Sequence, residues 1–272
     1  MADPRPIGMF DSGVGGLTVA RAVIDLLPRE SLVYFGDTAR SPYGPRPVEE
    51  IRSFAREIAA YLLERDVKAL VVACNSIEVA AIEDLPARAL TPVVGVIDPG
   101  VRAALRITRN RRVGVIGTEA TIRSGAYGRA VERESGHVQL FAEACPEFVP
   151  SVERGDTTSK ELLSVARTYL APLVSAEIDT LILGCTHYPL LSGLIQVVMG
   201  PEVVLVSSAE ETAKDVYATL LRGGLLSSGQ TAPRHEFICS GDAESFLSLG
   251  ERFLGPEITE VSGANVREVA WS

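Results

Sequence analysis

One short segment reads Leu70-Val71-Val72-Ala73-Cys74-Asn75-Ser76, and a later one reads Leu181-Ile182-Leu183-Gly184-Cys185-Thr186-His187. Each places an apolar run of strand length directly before a cysteine and two polar residues. Residues 7–12 resemble residues 113–118 in the same order and at a similar offset. The two ordered repeats indicate a duplicated α/β unit. Each copy then carries a cysteine just beyond a parallel strand, where open α/β sheets bind ligands.

Short apolar runs alternate with longer amphipathic segments along the chain. In the amphipathic segments apolar residues recur at helical spacing, as at 48–64, 160–174 and 210–221. The β-branched runs predict strands at 7–10, 32–35, 69–73, 93–97, 113–116, 180–184 and 203–206. Strands alternating with helices of this length are typical of βαβ units. The sequence therefore predicts the α/β class with mainly parallel sheets.

The composition is that of a globular enzyme, with 46% hydrophobic and 22% charged residues in a chain of 272. The formal net charge of −9 argues against nucleic acid or an anionic membrane as a partner, because both attract a positive surface. No run approaches the roughly 18 apolar residues of a membrane span, and residues 1–10 lack a signal-peptide pattern. We therefore expect a cytoplasmic protein.

Two of the four cysteines, Cys74 and Cys185, suit a proton-transfer reaction. Inverting an amino acid at its α-carbon requires a base on one face and an acid on the other. Two thiols meet this need without a cofactor if one is a thiolate, and thiolates form near helix N-termini and hydrogen-bond donors. Pyridoxal phosphate would require a lysine Schiff base, but Lys68, Lys160 and Lys214 lie outside glycine-rich phosphate-binding settings. The residues therefore predict a cofactor-independent amino-acid racemase.

Each cysteine taken alone has a simpler interpretation. A buried thiol is often an inert small hydrophobe, which is our interpretation of Cys145 and Cys239. The wide spacing of the cysteines predicts reduced thiols rather than a disulfide framework. A zinc site built from Cys185, His187 and another thiol lacks the usual ligand spacings, so we expect no metal.

Two further polar segments follow predicted strands. Residues 10–18 form a glycine-rich turn whose N–H groups can bind an anion, but no Gly-Lys-Ser/Thr of a P-loop follows. Residues 36–45 present Asp37, Tyr43 and the Gly44 N–H. Taken alone, residues 10–18 are only weak evidence of an anion site, and residues 36–45 are typical of a surface turn. A carboxylate at Asp11 favours proton transfer over nucleotide binding.

Taken together, four ordered motifs resemble bacterial glutamate racemase, and the resemblance extends from residue 7 to about residue 221. The motifs are Phe-Asp-Ser-Gly-Val-Gly-Gly-Leu-Thr at 10–18, Gly-Asp-Thr-Ala-Arg-Ser-Pro-Tyr-Gly at 36–44, Ala-Cys-Asn-Ser at 73–76 and Gly-Cys-Thr-His-Tyr-Pro-Leu at 184–190. The resemblance implies two pseudo-symmetric α/β lobes, residues 1–97 with 208–272 and residues 98–207, with the active site in the cleft between them. It also implies cofactor-independent interconversion of L- and D-glutamate, which supplies D-glutamate for peptidoglycan.

The resemblance implies a role for each matching residue. Cys74 and Cys185 would exchange the α-proton, Cys74 serving the D-enantiomer and Cys185 the L-enantiomer. Asp11 and Asp37 would support the Cys74 side, whereas Glu153 and His187 would support the Cys185 side. The ammonium and carboxylate groups of the substrate would be held by Asp11, Ser12, Tyr43, Gly44, Asn75, Ser76, Thr186 and His187.

One stretch departs from the family pattern. Asn75-Ser76-Ile77-Glu78-Val79 stands where the family has Asn-Thr followed by small residues. A Glu78 side chain that pointed into the site would repel an anionic substrate and raise the thiol pKa.

Other functions stay open at this point. They are a racemase of aspartate or another small acidic amino acid, a cysteine hydrolase with a single Cys-His pair, and a protein that closes two lobes around an amino acid. The expected partner is a small molecule, glutamate, and a homodimer is the assembly to test.

Overall fold

Two parallel β-sheets form the centre of the protein in the computed structural model, which describes residues 3–85, 91–229 and 232–264. Across these residues the strands are β1 (Ile7–Asp11), β2 (Leu32–Gly36), β3 (Ala69–Val72), β4 (Val93–Val94), β5 (Arg112–Gly117), β6 (Gln139–Ala144), β7 (Thr180–Gly184), β8 (Val204–Ser207), β9 (His235–Cys239) and β10 (Ser262–Gly263).

Helices connect these strands. They are α1 (Leu17–Leu26), α2 (Val48–Leu63), α3 (Asn75–Ala81), α4 (Ile97–Ile107), α5 (Glu119–Arg123), α6 (Ala126–Glu134), α7 (Phe148–Glu153), α8 (Lys160–Ser175), α9 (Ser192–Met199), α10 (Ala209–Gly223) and α11 (Ala243–Leu254), with a 3₁₀ helix at Tyr188–Leu191. The side chains of Thr118, Ser159 and Asp242 cap α5, α8 and α11 by accepting a backbone N–H of the first turn. Over the described ranges, no helix is long and apolar enough to cross a membrane.

Four neighbouring strands have the same order in both sheets. The first sheet runs β10-β9-β2-β1-β3-β4 and the second runs β6-β5-β7-β8, and every pairing is parallel. The order β2-β1-β3-β4 therefore matches β6-β5-β7-β8. The sequence repeats fall on equivalent strands, β1 with β5 and β3 with β7. This topology confirms the α/β class and explains why the two cysteine motifs occupy equivalent places.

Each sheet buries side chains on both faces. Along β1, Ile7 and Met9 belong to one apolar core and Phe10 to another, because successive side chains of a strand point to opposite faces. Along β7, Leu181 lies in the first of these cores and Ile182 in a third. The core that contains Ile7, Met9 and Leu181 therefore includes residues of both sheets.

Most predicted strand positions are confirmed to within one residue at each end. The prediction at 93–97 is partly wrong, because only Val93–Val94 is a strand and Ile97 begins α4. Asp98 and Pro99 lie in the first turn of α4, where the N–H groups have no partner within the helix, so a proline and a carboxylate are tolerated or favoured.

Three strands were not predicted, namely β6, β9 and β10. β6 lies at an edge of the second sheet, and its side chains are exposed or half-buried. Its apolar pattern is therefore weak. β9 begins with His235 and Glu236, and β10 has only two residues, both exposed. Only the pairing with neighbouring strands identifies these segments.

Candidate active site

Cys74 and Cys185 occupy equivalent positions in the two halves of the fold. Cys74 follows β3 and is the N-cap residue of α3, whereas Cys185 follows β7 directly. Both thiols are free, 6% and 7% exposed, and both line the same cavity. The two strand ends therefore bring residues far apart in sequence to a single site.

The cavity has a volume of about 140 Å³, which is more than a single water molecule needs and leaves room for a small organic molecule. Both halves of the fold contribute to its walls. The lining residues are Ser12, Ser41, Pro42, Tyr43, Gly44, Pro45, Cys74, Asn75, Ser76, Thr118, Glu119, Pro146, Val149, Pro150, Cys185, Thr186 and His187. Among the predicted residues, Asp11, Asp37 and Glu153 stand behind this wall rather than in it.

Ser12 and Asp11 are the neighbours of the Cys74 thiol. Cys74 Sγ donates to Ser12 Oγ at 3.6 Å. Burial raises the pKa of the Cys74 thiol to about 12, and the negative charge of Asp11 acts in the same direction.

On the opposite side, Cys185, His187 and Glu153 form a chain of contacts. Cys185 Sγ lies 3.9 Å from His187 Nδ1, and His187 Nε2 lies 3.3 Å from Glu153 Oε1. Glu153 is half-buried at the end of α7, so the chain leads from the cavity towards solvent. Burial raises the pKa of Cys185 well above its ordinary value, and an ionised Cys74 or Asp11 would raise this pKa further.

The expectation that donors near these cysteines favour a thiolate is therefore wrong for the protein by itself. Hydrogen bonds lower the pKa of each thiol, but the desolvation of a charged sulfur outweighs them at both positions. Both thiols consequently keep their protons near neutral pH.

The glycine-rich loop after β1 binds an anion that belongs to the chain itself. Gly13 N donates to Asp11 Oδ1 at 2.8 Å, and Thr186 Oγ1 donates to Asp11 Oδ2 at 3.2 Å. Burial nevertheless raises the pKa of Asp11. A Cβ at Gly15 would collide with Thr186 Oγ1 and His187 Nδ1. Glycine therefore allows this loop to lie directly against the Cys185 segment.

Asp37 contacts the wall of the cavity through Tyr43. Its carboxylate accepts hydrogen bonds from the Tyr43 hydroxyl, from Arg40 Nε at 2.6 Å and from Ser240 Oγ at 2.6 Å. Asp37 is fully buried and makes no hydrogen bond with Cys74 within the described part of the chain. The hydrogen bonds of Asp37 hold the loop that carries Tyr43, so any effect of Asp37 on Cys74 is transmitted through that loop.

Amide and hydroxyl groups lie where the two halves of the fold meet. Ser76 Oγ and Thr118 Oγ1 are 2.9 Å apart and link α3 to the segment after β5. Asn75 Oδ1 accepts a hydrogen bond from the Tyr127 hydroxyl at 2.7 Å. Neither Thr118 nor Tyr127 is predicted from the sequence as a residue of the site. The internal repeat carried a signal for Thr118, because Thr118 stands where Ser12 stands in the first copy.

The chain is similar to known proteins over most of its length. The family model described as Asp/Glu/Hydantoin racemase matches residues 16–216. The chain belongs to this family. The glutamate racemase of Corynebacterium diphtheriae is 53% identical over 256 residues, which are 94% of this chain and 96% of that protein.

Solved structures of family members share the whole fold. A glutamate racemase isoform from Bacillus anthracis has a TM-score of 0.89 at 43% identity and covers 96% of each chain. The glutamate racemase from Francisella tularensis, solved in complex with D-glutamate, has a TM-score of 0.91 at 34% identity, covering 97% of this chain and 99% of that one. These likenesses confirm the resemblance inferred from the four motifs.

Glu78, the departure from the family pattern, does not point into the cavity. Its Oε2 accepts hydrogen bonds from the backbone N–H groups of Val96 and Ile97, at 2.5 and 3.0 Å. It therefore caps the first turn of α4, at the crossover between the two sheets. A Cβ at Gly95 would collide with the Glu78 carboxyl group, so a larger residue there would displace this carboxyl group. Repulsion of the substrate by direct contact with Glu78 is excluded by this geometry.

In the described part of this family member, no three His, Cys, Asp or Glu side chains converge as a metal-binding group would require. The expected absence of a cofactor stays a prediction.

Proposed function

We propose that this enzyme interconverts L- and D-glutamate, with Cys74 and Cys185 exchanging the α-proton on opposite faces of the substrate and with no cofactor. One observation carries the proposal. The two thiols reach a single cavity from equivalent strand ends of two equivalent sheets. The glutamate racemases among the relatives support the choice of substrate.

The polar groups of the cavity wall suit an acidic amino acid. The hydroxyl groups of Ser76 and Thr118, Nδ2 of Asn75 and the Gly44 N–H are donors for its carboxylates. The carboxylate of Asp11, together with Ser12, favours the ammonium group. Tyr43, Thr186 and His187 complete the set that we propose to hold the substrate.

The reaction requires one thiolate and one thiol. The thiolate removes the α-proton from one face, and the thiol of the other cysteine adds its proton to the opposite face. The first cysteine ends as a thiol and the second as a thiolate, so protons and charge balance. Because burial keeps both pKa values high, formation of the thiolate requires a nearby positive charge, which the ammonium group of the substrate brings. Donors to the carboxylate stabilise the negative charge that develops beside the α-carbon.

The supporting residues divide between the two faces. Asp11 and Asp37 support Cys74, which serves D-glutamate, and His187 with Glu153 supports Cys185, which serves L-glutamate. The contacts of Cys185 with His187 and of His187 with Glu153 form a route by which the Cys185 proton exchanges with solvent.

The proposal extends to the organisation of the protein. We divide it into two lobes, residues 1–97 with 208–272 and residues 98–207, which agrees with the membership of the two sheets. Residues 1–2, 86–90, 230–231 and 265–272 of these ranges lie outside the described residues. A cytoplasmic location, a homodimer and the supply of D-glutamate to peptidoglycan are further parts of the proposal. Light scattering of the purified protein tests the dimer.

Replacement of each cysteine tests the mechanism. Cys74→Ala and Cys185→Ala are each expected to lower racemisation of both enantiomers by at least about a hundredfold, because inversion needs both an acid and a base. A chiral assay without added cofactor measures the rates. Cys145→Ala and Cys239→Ala are matched controls that remove buried thiols outside the cavity and should keep near-normal kcat/KM. Near-normal activity in Cys74→Ala or Cys185→Ala would contradict the two-thiol mechanism.

A further inference from the structure

Tyr127 of α6 is a buried residue whose hydroxyl reaches the opposite half of the fold. Its side chain belongs to the same apolar core as Val113 and Val115 of the second sheet and is 3% exposed. Its hydroxyl donates to Asn75 Oδ1 at 2.7 Å. Asn75 begins α3, immediately after Cys74. A residue packed on the second sheet therefore holds the side chain next to the cysteine of the first sheet.

This hydrogen bond determines the orientation of the Asn75 amide. A carboxamide has an acceptor oxygen on one side and a donor NH₂ group on the other. Because Tyr127 occupies the Oδ1 side, Nδ2 faces away from Tyr127. Nδ2 is buried and has no hydrogen-bond partner among the residues that the structure describes, and Asn75 lines the cavity. A buried donor of this kind is unfavourable until a ligand completes its hydrogen bond.

The Tyr127 hydroxyl can only act as the donor in this pair while it keeps its proton. Burial raises the pKa of Tyr127 well above its ordinary value. The hydroxyl is therefore protonated throughout the physiological pH range. It can therefore donate to Asn75 Oδ1 as the structure shows.

We propose that Tyr127 is a positioning residue that acts through Asn75, holding the amide so that Nδ2 donates to a carboxylate of the substrate. The inference deepens the proposed function and rests on glutamate being the substrate. A phenylalanine in this place keeps the ring in the apolar core but frees the amide to rotate by half a turn. The rotated amide presents its oxygen to an anion, which weakens binding.

Tyr127→Phe is expected to raise the KM of both L- and D-glutamate by about tenfold, with a smaller decrease in kcat. The reason is that Asn75 Nδ2, the donor that is lost, binds the substrate in the ground state and in the transition state alike. Tyr188→Phe is the matched control. Tyr188 is equally buried, its hydroxyl donates to the Cys145 carbonyl at 2.9 Å, and it does not line the cavity. Its KM values should stay within about twofold of wild type. A general loss of packing would affect both variants alike, whereas the proposal predicts a KM effect only in Tyr127→Phe.

A double-mutant cycle tests the route through Asn75. The readout is the Kd of D-glutamate from calorimetry, so the cycle does not depend on residual activity. In an Asn75→Ala background, Tyr127→Phe should change Kd by less than about twofold, since no amide is left to orient. The proposal would be overturned if Tyr127→Phe left KM unchanged. It would also be overturned if Tyr127→Phe changed Kd as much in the Asn75→Ala background as in the wild type. A wild-type enzyme that fails to racemise glutamate would instead contradict the proposed function, so the two failures are distinguishable.

Discussion

Replacing Glu78 with Gln should remove a pH-dependent contribution to the stability of the protein. Glu78 is buried, and burial raises the pKa of its carboxyl group from an ordinary 4.5 to about 7, with the charge of Asp98 acting in the same direction. In the unfolded chain the group titrates near its ordinary value. Between these two pKa values the folded protein therefore binds a proton that the unfolded chain has lost.

The sign and size of the effect follow from this difference. The extra proton stabilises the folded state fully below the unfolded pKa, and the contribution is lost as the pH rises through the folded pKa. One pKa unit corresponds to about 1.4 kcal/mol, so the Glu78 carboxyl group should lower the free energy of unfolding by about 3 kcal/mol over this range. Gln keeps an acceptor oxygen for the Val96 and Ile97 N–H groups but carries no charge at any pH.

Urea denaturation of wild type and Glu78→Gln from about pH 5 to about pH 8 measures the effect. The stability of the Gln variant relative to wild type should increase with pH by up to about 3 kcal/mol, while titrations common to both proteins cancel. Glu83→Gln is the control, because it removes an exposed carboxylate from the turn after α3 and should leave the pH profile unchanged. A constant difference between wild type and Glu78→Gln across the range would refute the assignment of a raised pKa to Glu78.

The thiols and the α-proton of the substrate are open to three further measurements. The rate of alkylation of Cys74 and Cys185, followed by mass spectrometry, should increase about tenfold per pH unit above neutrality, because both pKa values are raised. Saturating glutamate should protect both thiols. A rate that reaches a plateau near neutral pH would contradict the raised pKa values. In heavy water, the inverted product should carry deuterium at the α-carbon from the first turnover, and substantial protium in that product at low conversion would argue against two separate acid/base groups. Glutamate should exceed aspartate in kcat/KM by at least about tenfold, because the shorter chain leaves buried donors unpaired, and equal values would favour a broader racemase.

Much of the site could be predicted because many of its residues directly follow β-strands. The carboxyl ends of parallel strands meet at one edge of a sheet, so polar residues that follow apolar runs converge. This local rule found Cys74 and Cys185, and the resemblance to the family added Ser12 and Asn75; all four line one cavity. Thr118 follows the same rule and was missed only because its place in the repeat was not used.

The roles of two residues outside the cavity, Tyr127 and Glu78, were harder to predict. Tyr127 lies inside a helix, with no motif around it, and its importance depends on Asn75, which is distant in sequence. The sequence leaves open whether the Glu78 side chain faces the site, and only the position of α4 shows that it caps the neighbouring helix. Side-chain direction and partner choice depend on which distant segments meet, so no local pattern encodes them.

The sequence by itself determined the α/β class, the repeated strand-cysteine unit and the family, because apolar periodicity and short motifs are local properties of the chain. Only the tertiary structure decided that the glycine loop binds Asp11, that the Tyr127 hydroxyl donates to Asn75 and that burial raises the pKa of both thiols. The physical reason is that hydrogen-bond partners and desolvation depend on the packing of segments far apart in sequence. A cysteine motif specifies the sulfur atom that transfers the proton, whereas the burial of this sulfur among those segments sets its pKa.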